Sequence, residues 1–150
     1  RFAGMVERRL VDVLNRFDLA GPSSTQTASV RVMSFSEVAL RRARRLAPEL
    51  PLVLLMERVP VSYRRGTLPR GVGIAGPSIE VLRSHPRYPQ RVRSQGHQVY
   101  VWTVDEPLDV ELAVTRGVDA IITNRPRHVL AQLRDLGDPQ PSEPVTSTEP

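Results

Sequence analysis

The chain contains no cysteine and no lysine. The first absence excludes disulfides, thiolate metal ligands and a cysteine nucleophile. The second excludes a phosphate-loop lysine and a Schiff-base lysine, so all 21 basic residues are arginine. Aromatic residues make up only 5% of the chain, with a single tryptophan, and they do not interleave with the arginines. Base stacking needs that interleaving, so a net charge of +5 does not argue for a nucleic-acid partner. No apolar run approaches the roughly 20 residues that cross a bilayer, so no membrane span is expected. The opening RFAGMVERRL lacks the apolar core and cleavage pattern of a secretory leader. Because residue 1 is arginine, the natural amino terminus and the compartment stay open, with the cytoplasm as the default expectation.

What is present is strongly patterned. At 150 residues and 40% apolar content, one domain with an ordinary core is expected. Val6, Leu10, Val13, Leu14 and Phe17 recur at helical spacing and predict an amphipathic helix over residues 2–17. A polar loop to Ser29 and a short strand over Val30–Met33 follow. Ser34 and Ser36 both offer N-caps, and Ser34-x-x-Glu37 has capping-box spacing, for a helix to about Leu46 with Ala39, Ala43, Leu46 and Ala47 on its apolar face. Its run Arg41-Arg42-Ala43-Arg44-Arg45 reads as a solvated surface. LVLLME, ending at Glu57, is a continuous apolar strand of the kind buried on both faces. Residues 57–71 form an irregular connection, and Gly71–Gly76 a tight strand. Ser78 caps a brief helix to Arg83, Pro86 and Pro89 break it, and Gln90–Gln95 adds a final turn.

The clearest unit is Val99–Pro126, VYVWTVDEPLDVELAVTRGVDAIITNRP. A strand over Gln98–Val104 leads into a helix begun by Asp105-Glu106-Pro107 and ended at Gly117. Leu108, Leu112 and Ala113 are its expected buried face. A strand over Asp119–Thr123 follows, then Asn124 as a cap for the helix that Pro126 starts, with Val129, Leu130 and Leu133 apolar. From residue 137 the composition turns to Pro, Ser, Thr and Glu, which predicts a disordered tail over 137–150 behind a folded unit over 1–136. Five strand units separated mostly by helices must run parallel with right-handed crossovers. Pattern alone leaves two α/β architectures: an open doubly wound sheet, or part of a TIM (β/α)8 barrel.

Particular residues narrow this. VMSFSEVALRRARRLAPELPLVLLME, GVGIAGPS, GHQVYVWTVDEP and GVDAIITNRP, in that order, resemble the glycerophosphodiester phosphodiesterase family over roughly residues 30–133. Ser34-Phe35, Trp102-Thr103 and Gly117–Pro126 match the family's strand-end motifs, with Asn124 where aspartate is usual. The resemblance implies a partial TIM barrel, its last five strands with their helices. It also implies a metal-dependent hydrolase in lipid metabolism that cleaves glycerophosphodiesters to glycerol 3-phosphate and an alcohol. Paired histidines and a divalent metal ion, calcium or magnesium, on carboxylates would serve that reaction. The family's His-Arg, Glu-x-Asp, second histidine and Glu-x-Lys motifs do not occur in this chain. The expectation is therefore a carboxy-terminal fragment, its opening helix the barrel's third, without catalytic or metal-binding residues and inactive by itself.

The residues left to interpret are few. Ser34 and Phe35 stand at a strand end on the face where barrels carry active sites. Ser34 can equally serve as a helix cap. Trp102 can form an apolar pocket wall for the alcohol moiety, or pack in the core. Ser34, Phe35 and Trp102 are the candidate substrate-pocket residues. Glu57 ends its strand towards the same face but lacks partner carboxylates. Asp105 and Glu106 are accounted for by their place before a helix. His85, His97 and His128 lie at dissimilar positions without metal-ligand spacing and read as surface histidines. The competing reading is a non-catalytic α/β module that binds a partner or a phosphorylated ligand through its arginines.

Overall fold

The run Leu52–Met56 can be buried on both faces only in the middle of a parallel sheet, and there it lies. The computed structural model describes residues 4–20 and 30–137. Its elements are α1 (Met5–Arg16), β1 (Val32–Ser34), α2 (Glu37–Leu46), β2 (Leu52–Met56), β3 (Ile74–Pro77), α3 (Ile79–Ser84), α4 (Tyr88–Ser94), β4 (Gln98–Val101), α5 (Pro107–Thr115), β5 (Ala120–Ile121) and α6 (Pro126–Gly137). The five strands form one sheet in sequence order, every neighbouring pair parallel. The disordered tail expected from residue 137 lies, from 138 on, outside the described residues, as does the loop expected over 21–29.

Side-chain alternation separates the two faces of this sheet. Leu52, Leu54, Met56 and Val99 pack with Leu40, Tyr88 and Val92 from the helices. Val101 continues that face with Leu82, Val110 and Val129, and Val32 with Val11 and Leu14 of α1. The opposite face gathers Val53, Ile74 and Tyr100, with Leu55, Ala120 and Ile122 beside them, and no helical residue joins that cluster. Helices on one face only are what a barrel wall has; a doubly wound sheet carries them on both. The architecture is thus five consecutive strands of an α/β barrel wall.

Several local expectations give way to packing. On α1 the buried residues are Val11 and Leu14, whereas Val6, Val13 and Phe17 are exposed. Of the two expected caps of α2, Ser36 is the one used: its Oγ accepts from the Ala39 N–H at 3.2 Å. Its buried residues are Leu40 and Ala43, and Leu46 is exposed. Ser78 makes no side-chain cap; its Oγ donates to the Glu57 carbonyl instead. Pro89 does not break a helix but sits in the first turn of α4, where its missing N–H costs nothing. On α5 the core residues are Val110, Ala113 and Asp109, and Leu108 is exposed. β4 ends at Val101, three residues early, with Trp102 held to Ser78 by an isolated bridge.

The connection between β2 and β3 contains one turn of 3-10 helix, Val61–Tyr63, and is otherwise irregular. Arginine and glycine hold it down. The Arg44 guanidinium donates to the carbonyls of Gly71 and Pro48, so one member of the arginine run is a staple and not a solvated side chain. Gly66 has φ +88°, and a methyl group there would lie 2.3 Å from the Arg91 carbonyl oxygen. Only glycine permits that approach.

Candidate functional site

In a parallel barrel wall, chemistry gathers where the strands end. Here those ends carry Ser34-Phe35 after β1, Glu57 after β2, Ser78 after β3, Trp102-Thr103 after β4 and Thr123-Asn124 after β5. Phe35 and Trp102 both continue the helix-free side of their strands. β1 and β4 are three strand spacings apart, roughly 14 Å in a flat sheet. Yet their rings meet edge to face, with centroids 5.4 Å apart and planes at 87°. The two side chains close over the ends of β2 and β3 from either side, as a concave sheet allows. This is the geometry aromatic pairs prefer.

Trp102 is fixed in place by three bonds. Its indole Nε1–H donates to the Gly76 carbonyl at 2.6 Å, its N–H to the Pro77 carbonyl at 3.2 Å, and its own carbonyl accepts from Ile79 at 2.6 Å. Gly76 leaves room on this face: a Cβ there would crowd Leu55 Cδ2 at 2.8 Å and Val53 Cγ1 at 3.0 Å. Trp102 is therefore a rigid half-buried platform, while Phe35 is 57% exposed at its edge. Ser34 turns its Oγ inward on its own chain, accepting the Ser36 N–H at 3.0 Å. It shapes the loop that presents Phe35.

A second cluster ties β4 to β5. The Asp105 carboxylate accepts from Thr123 Oγ1 at 2.8 Å, from the Asn124 N–H at 2.8 Å and from Asn124 Nδ2 at 3.0 Å. The hydroxyl hydrogen bond from Thr123, then those from Asn124, hold the Asp105 carboxyl below its ordinary range. Asp105 stands just before α5 as expected, but its carboxylate is spent on the β5–α6 loop; α5 begins at Pro107, and Glu106 at its N-cap position makes no side-chain cap bond. Asn124 stands two residues before α6 and turns its Nδ2 to Asp105. Thr123 Oγ1 accepts from the Arg125 N–H. These partners are 18 and 19 residues apart in sequence, and no local spacing rule reaches that far.

The other candidates stay apart. His85 closes α3 and bonds Ser84 at 2.9 Å, His97 lies in the turn before β4, and His128 is exposed on α6. Glu57 is exposed beside Arg58, and Glu106 pairs with Arg125 at 3.6 Å. Among the described residues, no three of His, Asp or Glu converge on a point where a metal could sit. Calcium takes about 6–8 oxygen ligands and magnesium a near-ideal octahedron. The donor set present does not fit a resident divalent cation.

Comparison with known proteins agrees with this geometry. The model of the glycerophosphoryl diester phosphodiesterase family matches residues 3–128. The chain is 37% identical over 135 residues to a probable glycerophosphodiester phosphodiesterase 1 of Mycobacterium tuberculosis, covering 90% of this chain and 49% of that protein. It superposes on a glycerophosphodiester phosphodiesterase from Parabacteroides distasonis with a TM-score of 0.73 at 25% identity, covering 90% of this chain and 52% of the other. For a putative glycerophosphoryl diester phosphodiesterase from Silicibacter pomeroyi the TM-score is 0.71 at 26% identity, with 89% and 45% covered. The chain spans about half the length of the curated relatives it matches.

Proposed function

The chain belongs to the glycerophosphoryl diester phosphodiesterase family, and from that membership we propose that it forms the substrate-side wall of a barrel that hydrolyses glycerophosphodiesters to glycerol 3-phosphate and an alcohol. The acid–base groups and the metal ligands of that reaction belong to the part of the fold this chain does not span. Phosphodiester hydrolysis needs a water oxygen to bond to phosphorus, the ester oxygen to leave, and that oxygen to gain a proton. This chain's residues serve it by position. The Phe35–Trp102 pair offers an apolar wall against which the glycerol or alcohol carbons rest. By excluding water there it holds the ester near one orientation. Ser34 sets the loop that carries Phe35, and the Asp105 cluster holds the β5–α6 loop at the same rim.

The observation that carries this reading is the aromatic pair. It joins two of the family-like strand-end motifs, 67 residues apart in sequence, into a single surface on the strand-end face. The test uses this chain alone and the same chain fused behind the amino-terminal half of the 37%-identical relative. With glycerophosphodiester substrates, the chain alone releases no glycerol phosphate and the fusion does. In the fusion, Trp102→Ala lowers kcat/KM roughly tenfold to a hundredfold, mainly through KM, as loss of an apolar subsite contact does. A fusion that melts cooperatively but never turns over, or turnover by the chain alone, overturns the proposal.

A further inference from the structure

The strand-end site leaves the arginines of the β2–β3 connection unused. Val59, Tyr63 and Leu68 of that connection pack on the helix-side cluster of Tyr88 and Val92, across the sheet from the Phe35–Trp102 pair. The connection is clamped there. Gly66 lets its backbone press against the Arg91 carbonyl, Arg91 Nη1 donates to the Arg64 carbonyl at 3.2 Å, and the Tyr63 hydroxyl donates to Glu37 Oε1 at 2.7 Å. Between the connection, α3 and α4 lie two cavities, of about 250 Å³ and about 430 Å³. They share Val59, Arg64 and His85, and so form one cleft. None of its walls belongs to a terminal strand of the sheet.

The smaller half of the cleft is walled by Arg64, Arg91 and His85 with Val59 and Tyr88, and no carboxylate lines it. The larger half adds Arg58, and of its two carboxylates Glu80 is already bonded to Arg83 at 2.5 Å. Among the described residues the guanidinium groups of Arg58 and Arg64 have no hydrogen bond or ion pair. Ser84 Oγ gives its hydrogen to the Glu80 carbonyl at 2.6 Å, so it accepts from His85 Nδ1 at 2.9 Å. That leaves His85 Nε2 as the ring nitrogen open to a ligand. We infer that the cleft binds a phosphate monoester, its phosphoryl group in the smaller half among Arg64, Arg91 and His85 and its organic part towards Arg58. Two guanidinium charges match the charge of about −1.5 to −2 that such a group carries at neutral pH, and the planar arginine fork suits its oxygens. A single carboxylate would satisfy one fork and leave the other charge unmatched. The inference rests on this cleft alone and not on the reaction proposed above.

The test titrates the fusion protein with inorganic phosphate and follows the Nε–Hε NMR signals of Arg64 and Arg91, which report on this cleft and not on phosphate bound elsewhere. Phosphate is expected to shift both signals, and acetate neither. Arg64→Gln should weaken the response at Arg91 at least tenfold. Arg65→Gln, at an exposed neighbour outside the cleft walls, should leave it unchanged. Because Arg64 is exposed and its guanidinium holds no other described group, its loss does not threaten the fold. A second arm sediments the fusion with phosphatidylcholine vesicles, with and without phosphatidate. Cosedimentation that needs both phosphatidate and Arg64 makes the ligand a lipid headgroup; phosphate binding without it makes the ligand a soluble phosphate, and either upholds the site. Arginine signals indifferent to phosphate, an equal response to acetate, or a response at Arg91 that survives Arg64→Gln overturns it. Hydrolysis is assayed separately, and its failure counts against the proposed reaction alone.

Discussion

The middle of the sheet and its two edges are made of similar residues and live in opposite conditions. β2, β3 and β4 are buried along almost their whole length, with Val53, Ala75, Val99 and Val101 all at 0% exposure. β1 and β5 hold residues just as apolar, but their side chains are half-buried or exposed. The difference teaches that apolar composition equips a strand for burial without supplying it. Burial comes from neighbours on both sides, and the edge strands have a described neighbour on only one.

The largest consequence concerns the chain by itself. Exposed apolar residues at both edges forfeit roughly 1.5–3 kcal/mol each relative to burial, against a typical net stability of about 5–15 kcal/mol. Calorimetry of the isolated chain is therefore expected to show no sharp two-state transition, and concentrated samples to aggregate through the open edges. A reversible, cooperative melt from a monomer would abolish the contrast between centre and edge.

A smaller effect sharpens it. In the fusion protein described above, Leu82→Ala, at a fully buried position, should cost about 2–5 kcal/mol by chemical denaturation. Val6→Ala should register there as a partly buried loss, and the same change in the isolated chain should alter proteolytic susceptibility very little. Equal sensitivity at Val6 in both contexts would mean that nothing covers the α1 face.

Titration separates the regions further. Tyr88, in the central core with its hydroxyl donating to Met56 Sδ at 3.4 Å, has its phenol pushed up to about 12 by burial. The fold thus favours the neutral phenol. The stability this provides is complete below pH about 10 and is lost as pH rises through about 12. In the fusion protein, Tyr88→Phe should flatten that alkaline decline.

At the edge the sign reverses and the effect is the smallest. The Asp105 carboxyl is lowered by its bonds to Thr123 and Asn124, so its contribution is fully present above the ordinary carboxylate range and lost as pH falls below that range through the lowered value. The protection factor of the Asn124 amide, its intrinsic exchange rate divided by the observed rate at the same pH, should fall on acidification and, at neutral pH, in Asp105→Asn. Unchanged protection would show that Asp105 does not hold the β5–α6 loop.

Much of the architecture was legible in advance because it depends on local pattern. LVLLM could only be a doubly buried strand, and Gly117 ends α5 where expected. The parallel order follows from helices lying between strands. The helix faces were read less well. Val6, Val13 and Phe17 have helical spacing, yet a helix packed by one flank buries Val11 and Leu14. In the same way Asp109 is buried on α5 because Arg83, on α3, reaches its carboxylate at 2.7 Å. The strand-end motifs were visible as separate dipeptides, but the meeting of Phe35 with Trp102 was not.

The order of residues by itself settled which segments become strands, that those strands run parallel, and that family motifs stand at their ends. These follow from spacing, turn residues and apolar runs, all of which act over a few residues. Only the tertiary structure decided that every helix lies on one face, that Phe35 reaches Trp102, and that Asp105 grips Thr123 and Asn124. Those outcomes depend on sheet curvature and on groups distant in sequence arriving within hydrogen-bond or van der Waals range, and such forces carry no periodicity that a linear chain can display.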